Sequence, residues 1–137
     1  MNGQLAAAMA AEVAAIYAYG IVGVHLGNAA QVAEARAAET AHRGRRDYLL
    51  AKLDQPVADP AGYDLPFPVT DPASALRLAV HVEDGVAQAW RPVLGVTQGP
   101  DREAALAALT DAAVRASRWR RIARVSPATM AYPGMAS

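Results

Sequence analysis

Residues 71–90, DPASALRLAVHVEDGVAQAW, indicate the fold class because they combine a helix start with one continuous apolar face. Asp71 followed by Pro72 is typical of a helix N-terminus, where an acidic cap precedes a proline at the first helical position. Apolar residues then recur at the spacing of one helix face, at Leu76, Ala79, Val80, Val86, Trp90 and Leu94. The stretch therefore predicts a long amphipathic helix.

The composition extends this prediction to the whole chain. Of the 137 residues, 34 are alanine, one is phenylalanine and two are tryptophan. Alanine is the best helix former, and β-branched and aromatic residues are too sparse for a sheet. A hydrophobic fraction of 53% and a charged fraction of 19% exclude a disordered chain. We expect an all-α protein with a single core.

Turn and cap signals divide the chain into four helical segments. They run from about Gln4 to Leu26, Ala30 to Leu53, Pro72 to Val96 and Asp101 to Val125. Residues 1–125 are thus predicted to form one helical bundle, and residues 126–137 a loose C-terminal tail.

The connections between these segments predict how the helices are arranged. The first and third connections have only a few residues, so each joins antiparallel neighbours. The middle connection, Asp54 to Thr70, contains four prolines and could extend roughly 50 Å, which exceeds the roughly 36 Å of a 24-residue helix. It could travel the full length of the bundle, and we expect the third helix to start at the end where the first one starts. Two hairpins joined by a long crossover between helices 2 and 3 form the ferritin-like four-helix bundle.

Two of the predicted apolar faces carry a glutamate at their centre. The same spacing occurs in both: leucine, then glutamate seven residues later, then an aromatic residue after seven more. The two triplets are Leu5, Glu12 and Tyr19 in the first helix, and Leu76, Glu83 and Trp90 in the third. This internal repetition indicates two related hairpins.

The second helix carries Glu39, His42 and Arg46 within its apolar stripe. Together with Glu12 and Glu83, these residues would bring three carboxylates and an imidazole into the bundle interior. An isolated buried carboxylate is very costly, so such groups need cations, protons or a metal. Carboxylates with imidazole suit iron, manganese or zinc. One glutamate on each of two helices, with Glu-x-x-His on the other two, is how dimetal carboxylate sites are built.

The fourth helix lacks the second Glu-x-x-His pair, because Ala112 and Arg115 stand near the expected positions. Three interpretations follow. In the first, Arg46 and Arg115 neutralise the three glutamates in a buried ion-pair network. In the second and third, one or two metal ions bind at Glu12, Glu39, His42 and Glu83. We favour the ion-pair network.

Several stretches of the chain resemble a small bacterial ferritin-like domain family of uncharacterised function, over roughly residues 5–122. They are AAEVAAIYAYG (10–20), HRGRRDYLLAKL (42–53), GYDLPFPVTDPASALRLAVHVEDGVAQAW (62–90) and DAAVRASRWR (111–120). The resemblance implies a ferritin-like four-helix bundle that forms homo-oligomers. The wider superfamily binds iron or manganese, and by likeness Glu12, Glu39, His42 and Glu83 fall where its ligands would be. The missing ligands of the fourth helix depart from that pattern.

The apolar first segment is long enough to span a bilayer, but we expect it to be a buried helix of a cytoplasmic protein without a membrane partner. Glu12 lies in its middle, and no basic residue that would mark a secretory signal precedes Arg36.

The arginines around Trp119 are interpreted as offsetting a helix macrodipole rather than as a nucleic-acid site, since the net charge is zero.

The sequence thus favours a non-enzymatic bundle that acts as a homo-oligomeric scaffold or binding module with an internal Glu/His/Arg cluster. The alternative is an iron- or manganese-binding protein, or a metal-dependent oxidoreductase, using the four candidate ligands. No pattern indicates a particular protein partner.

Overall fold

The computed structural model describes residues 2–53, 64–129 and 132–135. Over these ranges the chain forms four α-helices and no strand, which confirms the predicted all-α class. The helices are α1 (Asn2–His25), α2 (Ala29–Lys52), α3 (Pro72–Leu94) and α4 (Gly99–Ile122).

Side-chain caps explain where α2 and α3 begin. The Asn28 side chain accepts hydrogen bonds from the backbone N–H groups of Ala30 at 2.8 Å and Gln31 at 3.2 Å. Asp71 accepts from the backbone N–H of Ser74 at 2.8 Å, and the Ser74 hydroxyl accepts in return from the backbone N–H of Asp71 at 3.2 Å. This reciprocal capping box satisfies donors that a helix start leaves unpaired, and it confirms the start signal in the sequence.

The helices pack as α2 on α1, α1 on α3 and α3 on α4. Helices α1 and α3 are antiparallel, because Glu12 contacts Trp90 whereas Tyr19, further along α1, contacts the earlier residue Glu83. Trp119 near the end of α4 also contacts Tyr19, so α4 runs in the same direction as α1.

Helix α3 therefore begins beside the end of α1, and the prediction that both start at one end is wrong. The reason is geometric: α2 returns the chain to the end where α1 starts, whereas α3 begins at the opposite end of the bundle. Lys52 in the last turn of α2 accordingly pairs with Asp101 in the first turn of α4 at 3.0 Å. Residues 54–63 of the predicted crossover lie outside the described residues.

Small side chains dominate the core. Alanines with no exposed surface line the helix contacts, at Ala8, Ala15, Ala18, Ala38, Ala75, Ala79 and Ala105. Larger buried side chains such as Trp90, Trp119 and Leu49 fill the remaining space. Alanine allows the helix axes to approach closely, but it offers little shape to define their register.

Among the described residues, Gly3–His25 of α1 is the one helical stretch that could cross a membrane by its length and apolar composition. Within this stretch, 44% of the most apolar 18-residue segment is buried inside the fold.

Residues 132–135, a described part of the predicted C-terminal tail, lie on α3. The carbonyl of Pro133 accepts a hydrogen bond from Nη1 of Arg91 at 2.8 Å. Gly134 has a φ of +84° and lies so close to α3 that a Cβ there would be 2.9 Å from the carbonyl oxygen of Ala87. Both its conformation and its close approach favour glycine at this position.

Candidate functional site

The imidazole of His42 lies between two carboxylates at the centre of the bundle. Its Nδ1 is 2.6 Å from Oε2 of Glu12, and its Nε2 is 2.8 Å from Oε2 of Glu83. All three residues have 0% of their surface exposed. Three helices supply the set, with Glu12 on α1, His42 on α2 and Glu83 on α3. We call these residues the Glu–His–Glu cluster.

The geometry of the Glu–His–Glu cluster defines its charge state. A ring nitrogen that faces an ionised carboxylate has to donate, and only the imidazolium form donates from both nitrogens. Burial alone would lower the pKa of His42, but the hydrogen bonds and negative charges of Glu12 and Glu83 outweigh it and raise the pKa to about 9. His42 is therefore a cation at neutral pH, and it supplies the buried positive charge that the two acids need.

Three aromatic side chains extend the cluster. Nε1 of Trp90 donates to Oε1 of Glu12 at 2.9 Å, and the Tyr19 hydroxyl donates to Oε2 of Glu83. Nε1 of Trp119 in turn donates to the Tyr19 oxygen at 2.8 Å, which brings α4 into the network. Burial and the adjacent Glu83 raise the pKa of Tyr19 well above its usual value, so it stays a neutral donor.

The repeated leucine–glutamate–aromatic spacing of α1 and α3 acquires a structural meaning here. The aromatic residue seven positions after each glutamate donates to the glutamate of the other helix: Tyr19 to Glu83, and Trp90 to Glu12. The signal was present as an internal repeat, but the sequence analysis missed the role of Tyr19 and Trp90 as donors to these acids. Trp119 had no comparable signal.

One atom of the cluster has no partner. Oε1 of Glu83 is buried and accepts no hydrogen bond from the residues that the structure describes. Arg115 is close enough to interact electrostatically: burial lowers its pKa, whereas the charges of Glu83 and Asp111 outweigh this and raise it. Its hydrogen bond, however, goes to Asp111 at 2.6 Å, so Arg115 lies beside the cluster rather than within it.

Two predicted members of the interior lie at the edge of the bundle. The side chain of Glu39 is 30% exposed and pairs with Arg43 at 3.5 Å, and that of Arg46 is 31% exposed and pairs with Asp47 at 3.1 Å. The predictions that both point inward are thus wrong. Since successive helix residues differ by about 100°, Glu39 lies about 60° and Arg46 about 40° from the direction of His42. The cation that neutralises the acids is His42 instead of Arg46.

This arrangement does not fit an iron or manganese ion. A metal-binding histidine uses one nitrogen for the metal and donates from the other, whereas both nitrogens of His42 face carboxylates. Glu12 and Glu83 consequently flank the ring on opposite sides instead of converging on one point. No group of three or more histidine, aspartate or glutamate residues in the described ranges is arranged to hold a metal ion.

These observations define an all-α, four-helix protein with a buried Glu–His–Glu cluster whose three residues all lie on helices. Residues 4–137 match the family model described as Domain of unknown function (DUF4439), and the chain belongs to that family. It is also similar to a crystal structure of a conserved hypothetical protein, rv2844, from Mycobacterium tuberculosis. The two are 41% identical with a TM-score of 0.81, over 88% of this chain and 95% of that one. Comparison with curated proteins gives no match.

Proposed function

We propose that this protein is a non-enzymatic, ferritin-like bundle that acts as a homo-oligomeric scaffold, and that the Glu–His–Glu cluster is structural. The observation that carries the proposal is that both nitrogens of His42 are bonded to carboxylates, at 2.6 and 2.8 Å, with no exposed surface on any of the three residues. The ring therefore has no free lone pair for a metal or a substrate, and the cluster has no contact with solvent.

The ferritin-like arrangement is supported by the helix directions. Helix α1 is antiparallel to α3 and parallel to α4, and the end of α2 meets the start of α4. Two hairpins linked by a connection that runs the length of the bundle produce this set of directions.

A structural role for buried charges follows from the alanine-rich core. Flat alanine surfaces allow neighbouring helices to slide, whereas directional hydrogen bonds between charged groups hold one register. Buried ionic groups of this kind add little net stability but can specify a unique packing. The network through His42 includes a side chain from each of the four helices, so it can define the position of all of them.

The homo-oligomer is supported by the outer face of α1. Its exposed and half-buried residues follow alternating steps of three and four, at Gly3, Ala6, Ala10, Val13, Tyr17, Gly20 and Val24. This is the spacing of a helix-pairing seam, and Val24 is 78% exposed. The helix has no Lys, Arg or Asp, and its single glutamate, Glu12, is buried. Because a helix that is apolar all round is normally buried, we propose that a second copy of this chain covers α1.

Metal loading tests the structural role of the cluster. After anaerobic incubation with Fe(II) or Mn(II) and removal of free metal, we expect well below one ion per chain. Stoichiometric metal that is lost in His42→Gln but retained in Glu103→Gln, which changes an exposed acid on α4, would overturn the proposal, and would favour the alternative of a metal-binding protein or metal-dependent oxidoreductase.

Sedimentation velocity tests the oligomer. We expect a species larger than the 14.3 kDa chain, which Val24→Glu dissociates. Leu106 on α4 is 53% exposed, so Leu106→Glu is a matched control that should leave the assembly intact. A single 14.3 kDa species for the unchanged chain would contradict the oligomer without affecting the argument about the cluster.

A further inference from the structure

A pocket separate from the Glu–His–Glu cluster lies between α3 and α4, beside the described part of the C-terminal segment. Its volume is about 350 Å³, which is within the range of small-molecule sites. We call it the α3–α4 pocket, and its walls are formed by Asp84, Ala87, Ala113, Val114, Ser117, Arg120, Arg121, Thr129, Pro133 and Gly134.

The shape of the pocket follows from small residues on two helices and from the segment that lies against them. Ala87 on α3 and Ala113 on α4 leave space between the helices. Gly134 forms one wall and packs against Ala87 too closely for any side chain. The hydrogen bond from Arg91 to the Pro133 carbonyl holds the same wall at 2.8 Å. The pocket is therefore bounded by specific contacts, and most of its lining is apolar.

The polar groups of the pocket are concentrated on α4. Arg120 forms an ion pair with Asp84, and the two side chains are only 14% and 24% exposed. Within the described parts of the chain, Arg121 forms no ion pair, and the hydroxyl of Ser117 forms no hydrogen bond. Because Arg120 is paired with Asp84, the guanidinium of Arg121 and the hydroxyl of Ser117 are the groups that we expect to bind a ligand.

We propose that the α3–α4 pocket binds a small organic anion with an apolar body, such as a medium-chain carboxylate. The carboxylate would accept hydrogen bonds from Arg121 and Ser117, since guanidinium groups match carboxylate geometry. The alkyl chain would contact Ala87, Val114 and Pro133. An anion is favoured over a cation because two arginines and one aspartate line the pocket. This site is independent of the scaffold function and of the cluster.

Titration with octanoate, followed by ¹H–¹⁵N NMR, tests the proposal. We expect saturable shifts confined to the amides around residues 84–91, 113–121 and 132–135. Arg121→Gln should weaken binding about tenfold or more, because it removes a charged hydrogen bond. Arg118 is exposed on the same helix but does not line the pocket, so Arg118→Gln is the matched control and should bind octanoate normally. Preserved spectral dispersion shows that each variant is folded.

The neutral analogue 1-octanol separates recognition of the charge from burial of the chain. We expect 1-octanol to bind at least tenfold more weakly than octanoate. Three outcomes would overturn the proposal: no saturable shift at millimolar octanoate, equal binding of 1-octanol, or an equal loss of affinity in Arg118→Gln and Arg121→Gln.

Discussion

Trp90 donates its indole N–H to Oε1 of Glu12 at 2.9 Å, across the contact between α3 and α1. The same relationship recurs with the helices exchanged, because Tyr19 on α1 donates to Glu83 on α3. Each helix thus supplies one acid and the donor for the acid of its neighbour. His42 on α2 joins the two acids into one network.

Removing the central cation should destabilise the fold strongly. In His42→Leu, Glu12 and Glu83 stay buried without a counter-charge, and breaking a buried ion pair in this way costs about 3–5 kcal/mol. Urea unfolding followed by circular dichroism measures the loss. Glu39→Gln changes a partly exposed acid on the same helix and should change the free energy of unfolding by less than about 1 kcal/mol. Equal effects of the two substitutions would contradict the structural role of His42.

The stability should fall as the pH rises above neutrality. The pKa of His42 is about 9 in the folded state, above the usual 6.5, so the folded state holds its proton more tightly than the unfolded chain does. The contribution is present in full below pH 6.5 and is lost as the pH rises through 9. It is on the order of 3 kcal/mol.

Urea unfolding at intervals from pH 6 to pH 9.5 measures this decline. The triple variant with His42→Leu, Glu12→Gln and Glu83→Gln lacks the titrating group and should show a flatter profile over the same range. A decline of equal size in both proteins would assign the pH dependence to other groups.

The two glutamates should respond differently to the same substitution. In Glu83→Gln, the new NH₂ group can take the position of Oε1, which has no partner in the described structure, while the amide oxygen still accepts from His42 and Tyr19. In Glu12→Gln, both oxygen positions already receive donors, from Trp90 and His42. The NH₂ group would there face another N–H.

Glu12→Gln should therefore cost about 1–3 kcal/mol more than Glu83→Gln, the penalty of an unsatisfied buried polar group. Each variant removes one carboxylate from the same imidazolium, so each serves as the charge-matched control of the other. Equal free energies of unfolding would show that charge, rather than hydrogen-bond geometry, determines the stability of the network.

The two tryptophans should differ for a related reason. Trp90→Phe leaves an oxygen of an ionised carboxylate unpaired, whereas Trp119→Phe removes a donor to the neutral hydroxyl of Tyr19. Both tryptophans are at most 1% exposed, and both substitutions remove similar volumes. Because hydrogen bonds to charged groups contribute about 1.5–3 kcal/mol and neutral ones about 1 kcal/mol, Trp90→Phe should be the more destabilising. Thermal unfolding of both variants decides the order.

The general architecture was readable from the sequence because it depends on local signals. Alanine content, the cap at Asp71 and the short loops predicted four helices, and the structure confirms them. The central positions of Glu12, His42 and Glu83 followed from their place in apolar stripes. In each case the direction of one side chain relative to its own helix was sufficient.

The remaining features depend on how helices are placed relative to one another. Glu39 and Arg46 lie within about 60° of His42 around α2, and only the packing of α2 decides which of the three side chains enters the core. The direction of α3 similarly depends on the end of the bundle at which the middle connection finishes and α3 begins. The pairing of Trp119 with Tyr19 joins residues 100 positions apart and had no local signal.

The reciprocal links between α1 and α3 restrict the motions that this bundle can make. Seven residues are almost two helical turns, so the glutamate and the aromatic donor that one helix supplies lie on the same side of that helix, about 10 Å apart along its axis. Two hydrogen bonds at separate heights along the bundle, Tyr19 to Glu83 and Trp90 to Glu12, thus connect α1 and α3. If one helix shifted by a single turn, both hydrogen bonds would break together, and Glu12 and Glu83 would each lose the aromatic donor. Any rearrangement of the bundle should consequently open at the helix ends, with this pair moving as one rigid body.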